Sequence, residues 1–406
     1  MEYLETTAGS PLQYMADVYG HGLKYERPPF TFQSNEWESL ARERMSRESL
    51  GYVCGNASTG ETTRKNREAF QKWSIVPSRL VKTDSYPSLQ TQLLGQTLPT
   101  PIAVAPVGVQ RIFNPDGEIA VAKASAREKV PYIYSTAAAT SMEDVAKANG
   151  DGVRWFQLYW PSNEHNDLTA SLLHRAKANG FTALVVTLDT YKLGWRPSDL
   201  NNGYNPFLRS DSIGTALGFS DPVFRSHFKK KHGKEVEEDL HDAASEWAGL
   251  IFPGFSHGWE DIAFLRENWD GPIVLKGIQA VQDAKHAAEM GIEGIVVSNH
   301  GGRQQDGGPA SLDCLVKIVK AVGDKIDILY DSGIRCGADI AKAMAIGAKM
   351  VLIGRPYIYG LVLGGEEGVG HVLRSLLGDL TMNLHLAGIQ SVSQKDLNMD
   401  CLEYSG

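Results

Sequence analysis

Directly after the apolar run 291–297, which reads as a buried parallel strand, the chain carries Ser298-Asn299-His300-Gly301-Gly302-Arg303-Gln304. This places an imidazole and a guanidinium three residues apart at a strand end. The two glycines between them let the backbone turn sharply and approach a ligand. A base beside a fork that grips a carboxylate is what oxidising a 2-hydroxy acid requires: His300 takes the proton and Arg303 holds the carboxylate. Read alone, the motif is equally a strand-end turn with two solvated side chains.

Similar chemistry recurs at other apolar runs. One ends Gln157-Leu158-Tyr159, and side-chain alternation puts Gln157 and Tyr159 on one face. The next ends Thr187-Leu188-Asp189, with Arg196 following; another ends Lys276-Gly277. Two more lead into Asp331-Ser332-Gly333-Ile334-Arg335 and Gly354-Arg355-Pro356. Gly333, Arg335, Gly354 and Arg355 offer close backbone N–H groups and two cations, which suits a phosphate dianion. Lys276 emerges from an apolar run with no evident partner, a costly state unless a negative charge arrives. Asp189 is placed to orient His300 and to stabilise its protonated ring. Each of these groups could instead belong to an ordinary structural ion pair.

The elements that must position these residues are regular. Eight apolar runs, 101–106, 131–135, 153–159, 183–189, 272–277, 294–299, 326–332 and 350–355, alternate with helical patterns. They are rich in Val and Ile and bounded by Gly, Pro, Asp and Asn, as strands buried on both faces are. Strand–helix alternation eight times over predicts a (β/α)₈ TIM barrel whose strand C-termini share one pocket. A doubly wound sheet is the alternative, but no GxGxxG follows the first strand. Thr140 with Glu143 has capping-box spacing for a helix stopped by Gly150. The fourth and fifth strands lie roughly 80 residues apart, so about 197–258 reads as a lid insertion over the pocket. Residues 1–94 form an N-terminal helical segment packed on the barrel, which occupies 95–406. Within that segment 35–47 looks helical and Leu50–Gly55 reads as a glycine-broken turn carrying Tyr52.

Bulk properties exclude several classes. The 406 residues carry a net charge of −8, which argues against nucleic acid or an anionic membrane as partner. The run 227–232 is basic, but acidic residues follow it, and it reads as a mixed-charge surface. Four scattered cysteines indicate neither a disulfide framework nor a metal site. No secretory signal, membrane span or peroxisomal address is visible, so a cytoplasmic location is expected.

Taken together, YVCG (52–55) with Asn66, APVGVQ (105–110), FQLY (156–159), TLDT (187–190), LKG (275–277), SNHGGRQ (298–304), DSGIR (331–335) and IGRP (353–356) resemble the FMN-dependent L-2-hydroxy acid oxidising family. The stretches 189–200, 205–209 and 221–224, and the long lid, look most like its lactate 2-monooxygenase branch. After Tyr52 the chain departs from the family's small-residue turn followed by acidic residues, reading Cys54-Gly55-Asn56-Ala57-Ser58-Thr59-Gly60-Glu61. The resemblance implies FMN as cofactor, a small L-2-hydroxy carboxylate as substrate (L-lactate first), O₂ as electron acceptor and a homotetramer or homo-octamer. The product would be acetate, CO₂ and water, or, in a simple oxidase, the 2-oxo acid and peroxide. By the same resemblance His300 is the base, supported by Asp189. Arg303, Arg196 and Tyr52 bind the substrate carboxylate, and Tyr159 bonds the substrate oxygen. Lys276 would face the flavin N1–C2 carbonyl. Gly108 would offer its N–H to flavin N5, Ser135, Gln157 and Thr187 would bind the ring, and Ser298 would also bind the cofactor. Asp331, Gly333, Arg335, Gly354 and Arg355 would hold ribityl and phosphate. Ala137, small where some members carry Trp, would leave room beside the substrate's alkyl group. A haem-coupled dehydrogenase, a nucleotide-binding phosphate barrel and a redox-inactive flavin-binding protein are the other readings.

Overall fold

A computed structural model of the chain describes residues 12–208 and 213–406. Eight parallel strands close into a barrel: β1 (Ile102–Val104), β2 (Tyr132–Ser135), β3 (Arg154–Tyr159), β4 (Leu184–Thr187), β5 (Ile273–Ile278), β6 (Gly294–Val297), β7 (Asp327–Tyr330) and β8 (Met350–Ile353). Each pairs with its neighbour in chain order, and β8 returns to β1. Closure excludes the doubly wound sheet.

Side-chain alternation builds the interior in layers. Ala103, Ile133, Trp155, Val185, Val274, Val296, Leu329 and Leu352 fill one dry cluster inside the barrel. Their sequence neighbours Val104, Tyr134, Phe156, Leu184 and Tyr330 face outward into the helix layer. Two residues past each interior residue, the same inward register gives Ala105, Ser135, Gln157, Thr187, Lys276, Ser298, Asp331 and Gly354. The apolar core therefore gives way to a mostly polar layer at the strand C-termini.

The bottom of the barrel is plugged by the hairpin Thr91–Leu93/Gln96–Leu98, whose Leu93, Leu94 and Leu98 join the interior cluster. The segment before it contributes helices Trp37–Arg42, Arg47–Cys54 and Glu61–Gln71 and a strand, Trp73–Ile75, paired with Leu402–Tyr404. Two expectations need correction here. Helix does not run through 35–47: it breaks at 43–46 and restarts with Ser46 capping Ser49 N. Leu50–Gly55 is then the end of that second helix rather than a turn, because the cap sets the helix in register through Gly51. A third correction concerns Thr140. Ser141 is the helix cap, accepting from Asp144 N, while Thr140 donates to the buried Glu118 at 2.9 Å.

The insertion after β4 is largely helical, with Pro197–Asn202, Pro222–His232 and Leu240–Ile251 as its main helices. It has its own aromatic core: Phe207, Phe224, Phe228, Trp247 and Phe252 are buried. The basic run 227–232 lies on one of these helices, where Lys229 pairs with Glu235, Lys231 and His232 with Glu246, and His227 with Asp167. Arg209, which ends the expected 205–209 motif, lies outside the described residues, as do 1–11.

Candidate active site

A cleft enclosing about 970 Å³ of empty space, its open mouth included, lies at the C-terminal ends of the strands. Twelve of the expected residues line it: Tyr52, Gly108, Tyr159, Arg196, Lys276, His300, Arg303, Asp331, Gly333, Arg335, Gly354 and Arg355. Leu193, Phe207 and Phe252, which sequence reasoning did not single out, complete an apolar wall. Phe252 packs on Tyr159 with ring centroids 5.1 Å apart.

His300 begins a short turn and has φ +57°, a conformation that costs a non-glycine residue energy. Its surroundings hold it there. Asn299 and Asn66 exchange two 2.8 Å hydrogen bonds, which ties the turn to the helix 61–71. His300 N donates to Ser298 Oγ and Gly301 N to Ser332 Oγ. The ring's Nδ1 lies 2.8 Å from Asp189 Oδ1. A carboxylate there accepts, so Nδ1 carries the proton and Nε2 is left as the basic nitrogen. Burial lowers the His300 pKa, Asp189 opposes that, and Lys276 adds to it; the net is downward, so the ring rests neutral. Burial alone would raise the Asp189 carboxyl, but His300 and Lys276 outweigh it and hold it below the usual carboxylate range. The pair is a neutral base backed by an ionised carboxylate.

Five cations and a single carboxylate, Asp331, line the cleft, so it attracts anions. Arg303 is half-buried, and desolvation with Arg196 and Arg355 nearby lowers its pKa to about 9. It donates to the carbonyls of Val53 and Gly55, and Arg355 reaches the same two oxygens. The guanidiniums of Arg196 and Arg303 lie 5.9 and 5.1 Å from the Tyr52 ring centroid. Gln304 anchors Arg196's loop, bonding the carbonyls of Asp189 and Lys192 and accepting from Gly194 N. Burial, with Tyr52 and Asp189 nearby, raises the Tyr159 hydroxyl pKa, so it stays a donor.

Lys276 is not the unpaired cation expected from sequence. Its Nζ lies 3.2 Å from Asp331 and 3.1 Å from Ser298 Oγ. The partner comes from β7, far away in sequence, so no local signal announces it. Arg335 is the less satisfied cation: half-buried, it donates to the neighbouring Ile334 carbonyl, and desolvation lowers its pKa. A Cβ on Gly354 would meet nothing nearer than Ala105 at 3.9 Å, whereas one on Gly333 would strike the Asn66 carbonyl at 2.8 Å. Gly354 thus leaves space in the cleft that Arg335 and Arg355 also line, and Gly333 lets the turn pass the helix 61–71.

Ser135, Gln157 and Thr187 are not in the cleft lining. They form a buried chain across three strands, Ser135 to Gln157 and Gln157 to Thr187, each at 3.0 Å. Ala137 does not line the cleft either. It lies behind Gly108, where an added Cβ would come 2.5 Å from the Ala137 carbonyl oxygen. The room credited to Ala137 is therefore room for the Gly108 backbone.

The model of the family described as FMN-dependent dehydrogenase matches residues 41–403. An FMN-dependent alpha-hydroxy acid dehydrogenase of Schizosaccharomyces pombe is 62% identical over 97% of each chain. An L-lactate oxidase of Lysinibacillus sphaericus is 39% identical, over 90% of this chain and 91% of its own. Human 2-hydroxyacid oxidase 1 is 36% identical, over 89% and 94%. Among solved structures, mandelate oxidase superposes with a TM-score of 0.76 at 34% identity, covering 89% of this chain and 96% of its own.

Proposed function

Because the chain belongs to the FMN-dependent dehydrogenase family, and so to enzymes that oxidise 2-hydroxy acids with FMN, we propose that its own substrate is a small L-2-hydroxy acid, L-lactate foremost, and its electron acceptor O₂. The observation that carries this reading is the neutral, carboxylate-backed His300 facing a cleft that also holds Arg303, Arg196 and Tyr52.

The residues fit the cofactor. Arg335 and Arg355, with the open Gly354, suit a phosphate dianion, and Lys276 with Asp331 suits a polar ring edge and ribityl hydroxyls. Gly108 would present backbone to the ring. Ser135, Gln157 and Thr187 would act from behind, as a rigid hydrogen-bonded floor. Bound FMN supplies a two-electron acceptor.

Arg303 and Arg196 would grip the substrate carboxylate, with the Tyr52 hydroxyl beside them. Tyr159 would donate to the substrate oxygen. His300 Nε2 would accept a proton as the substrate loses two electrons, and Asp189 would stabilise the resulting imidazolium. Leu193, Phe207 and Phe252 would enclose the alkyl group. These last two belong to a helical insertion with its own core, which supports a lid that retains the 2-oxo acid. Retention lets peroxide decarboxylate pyruvate in place: lactate and O₂ give acetate, CO₂ and water. Counting products in steady turnover tests this. One acetate per lactate is expected, and His300→Ala should stop both consumption and product. One pyruvate and one H₂O₂ per lactate would make the protein a simple oxidase; full turnover by the His300→Ala variant would overturn the whole assignment.

A further inference from the structure

Thr190 has no part in the chemistry described so far, yet it touches both members of the catalytic pair. Its Oγ1 lies 2.9 Å from Asp189 Oδ1 and 3.1 Å from His300 Nδ1. With the 2.8 Å contact between those two atoms, the three form a closed triangle. A hydroxyl has one proton to give and lone pairs to accept with. Asp189 can only accept, so Thr190 donates there, and its lone pair faces the Nδ1 proton that Asp189 shares.

The other side of Asp189 is poorly held. Its Oδ2 is buried and has no hydrogen-bond partner among the described residues. Gly277 packs behind it: a Cβ there would come 3.0 Å from the Asp189 Cβ and Cγ. Beyond lies a second hollow of about 1080 Å³ of empty space, lined by Thr187, Leu188, Thr190 and Gly277 among others. Asp189 thus has a glycine packed against it and one carboxylate oxygen that no hydrogen bond from the described residues fixes. The side-chain hydrogen bonds that the described residues make to this carboxylate all converge on Oδ1, and Thr190 supplies one of them. It also selects the ring orientation. Turned over, the imidazole would present a C–H to both Thr190 and Asp189 and lose both contacts.

We propose that Thr190 is a positioning residue whose hydroxyl locks the Asp189 carboxylate and the His300 ring into the one arrangement that leaves Nε2 free toward the cleft. The inference rests on reading His300 as the base. It predicts a role for the hydroxyl rather than for the shape of the side chain. Thr190→Val keeps the volume and removes the donor; Thr190→Ser keeps the donor and removes a methyl group.

Two measurements on the holoenzyme test it. The first is anaerobic stopped-flow reduction of the flavin by L-lactate. Thr190→Val is expected to lower the limiting rate about tenfold, the worth of one hydrogen bond, with the substrate Kd within about twofold of the parent. Thr190→Ser should restore the rate to within about twofold. The second does not need turnover: solid-state ¹⁵N NMR of histidine-labelled protein, with His300 assigned by its disappearance in His300→Ala. The parent should show one tautomer protonated at Nδ1, Thr190→Ser the same, and Thr190→Val a mixture. A Thr190→Val variant as fast as the parent with an unmixed His300 signal would overturn the proposal, as would Thr190→Ser behaving like Thr190→Val. Should the parent fail to be reduced by any 2-hydroxy acid, the functional reading fails instead, and the NMR comparison still decides the role of Thr190.

Discussion

Replacing Asp189 by Asn removes one charge and little volume, and the structure fixes what should follow. His300 Nδ1 and Asp189 Oδ1 are 2.8 Å apart and enclosed. Unit charges roughly 4 Å apart at an effective dielectric near 20 interact by about 4 kcal/mol. The proton is only part-transferred at the transition state, so about half of that, ~2 kcal/mol, is lost from the barrier side. The limiting rate of flavin reduction should then fall about 30-fold. The pH profile should move as well. Activity needs neutral His300, so the rate rises with pH through the His300 pKa. Asp189 raises that value against burial and Lys276. Without its charge the His300 pKa drops further, so the acid limb moves to lower pH while the plateau falls. KM should not rise, because the lost charge is negative and so is the substrate. Stopped-flow reduction with lactate across pH 5 to 9 measures all of this. An unchanged plateau, or an acid limb displaced to higher pH, would refute the account of the pair.

Arg303→Lys keeps the charge and loses the fork, so KM for lactate should rise about 10- to 100-fold with kcat less affected; equal KM values would remove Arg303 from carboxylate binding. Gly108→Ala would drive a Cβ to 2.5 Å from the Ala137 carbonyl oxygen. FMN titration of the apoprotein by fluorescence should show at least tenfold weaker binding, and parent-like affinity would contradict the close approach at that turn. His371 is enclosed by Phe30, Phe32, Trp37 and Tyr14, and burial pushes its pKa down to about 4. The unfolded chain, with the ordinary value of 6.5, takes up a proton that the folded chain refuses. Stability is therefore full above about pH 6.5 and falls as pH drops toward 4. His371→Leu should narrow the gap in Tm between pH 7 and pH 5; an undiminished gap would place the acid sensitivity elsewhere.

The barrel was legible because its strands are buried on both faces and read as continuous apolar runs. The site was legible for a related reason. The inward register continues past the core, so the residue two places beyond Val274, Leu329 or Leu352 had to point into the pocket, and there stand Lys276, Asp331 and Gly354. What stayed hidden has no one-dimensional signal. The Val53 and Gly55 carbonyls that receive Arg303 and Arg355 are backbone atoms carried by a distant helix. The pairing of Lys276 with Asp331 needs β5 and β7 to lie on one barrel wall. Asn66 and Asn299 meet across 233 residues. The lid insertion gave no sign of a core of its own, because its central helix is dense in Lys, yet Phe224 and Phe228 on that helix are buried. Thr190 could have been noticed beside Asp189, but only the geometry shows its hydroxyl reaching His300.

The cleft is expected to carry FMN and to pass electrons to it from a 2-hydroxy acid through His300. A visible absorption spectrum of the purified protein, before and after L-lactate is added without oxygen, tests it most directly. The expected result is a yellow protein that bleaches with lactate and stays yellow in the His300→Ala variant. A protein that takes up no FMN, or a His300→Ala variant that bleaches as fast as the parent, would contradict it.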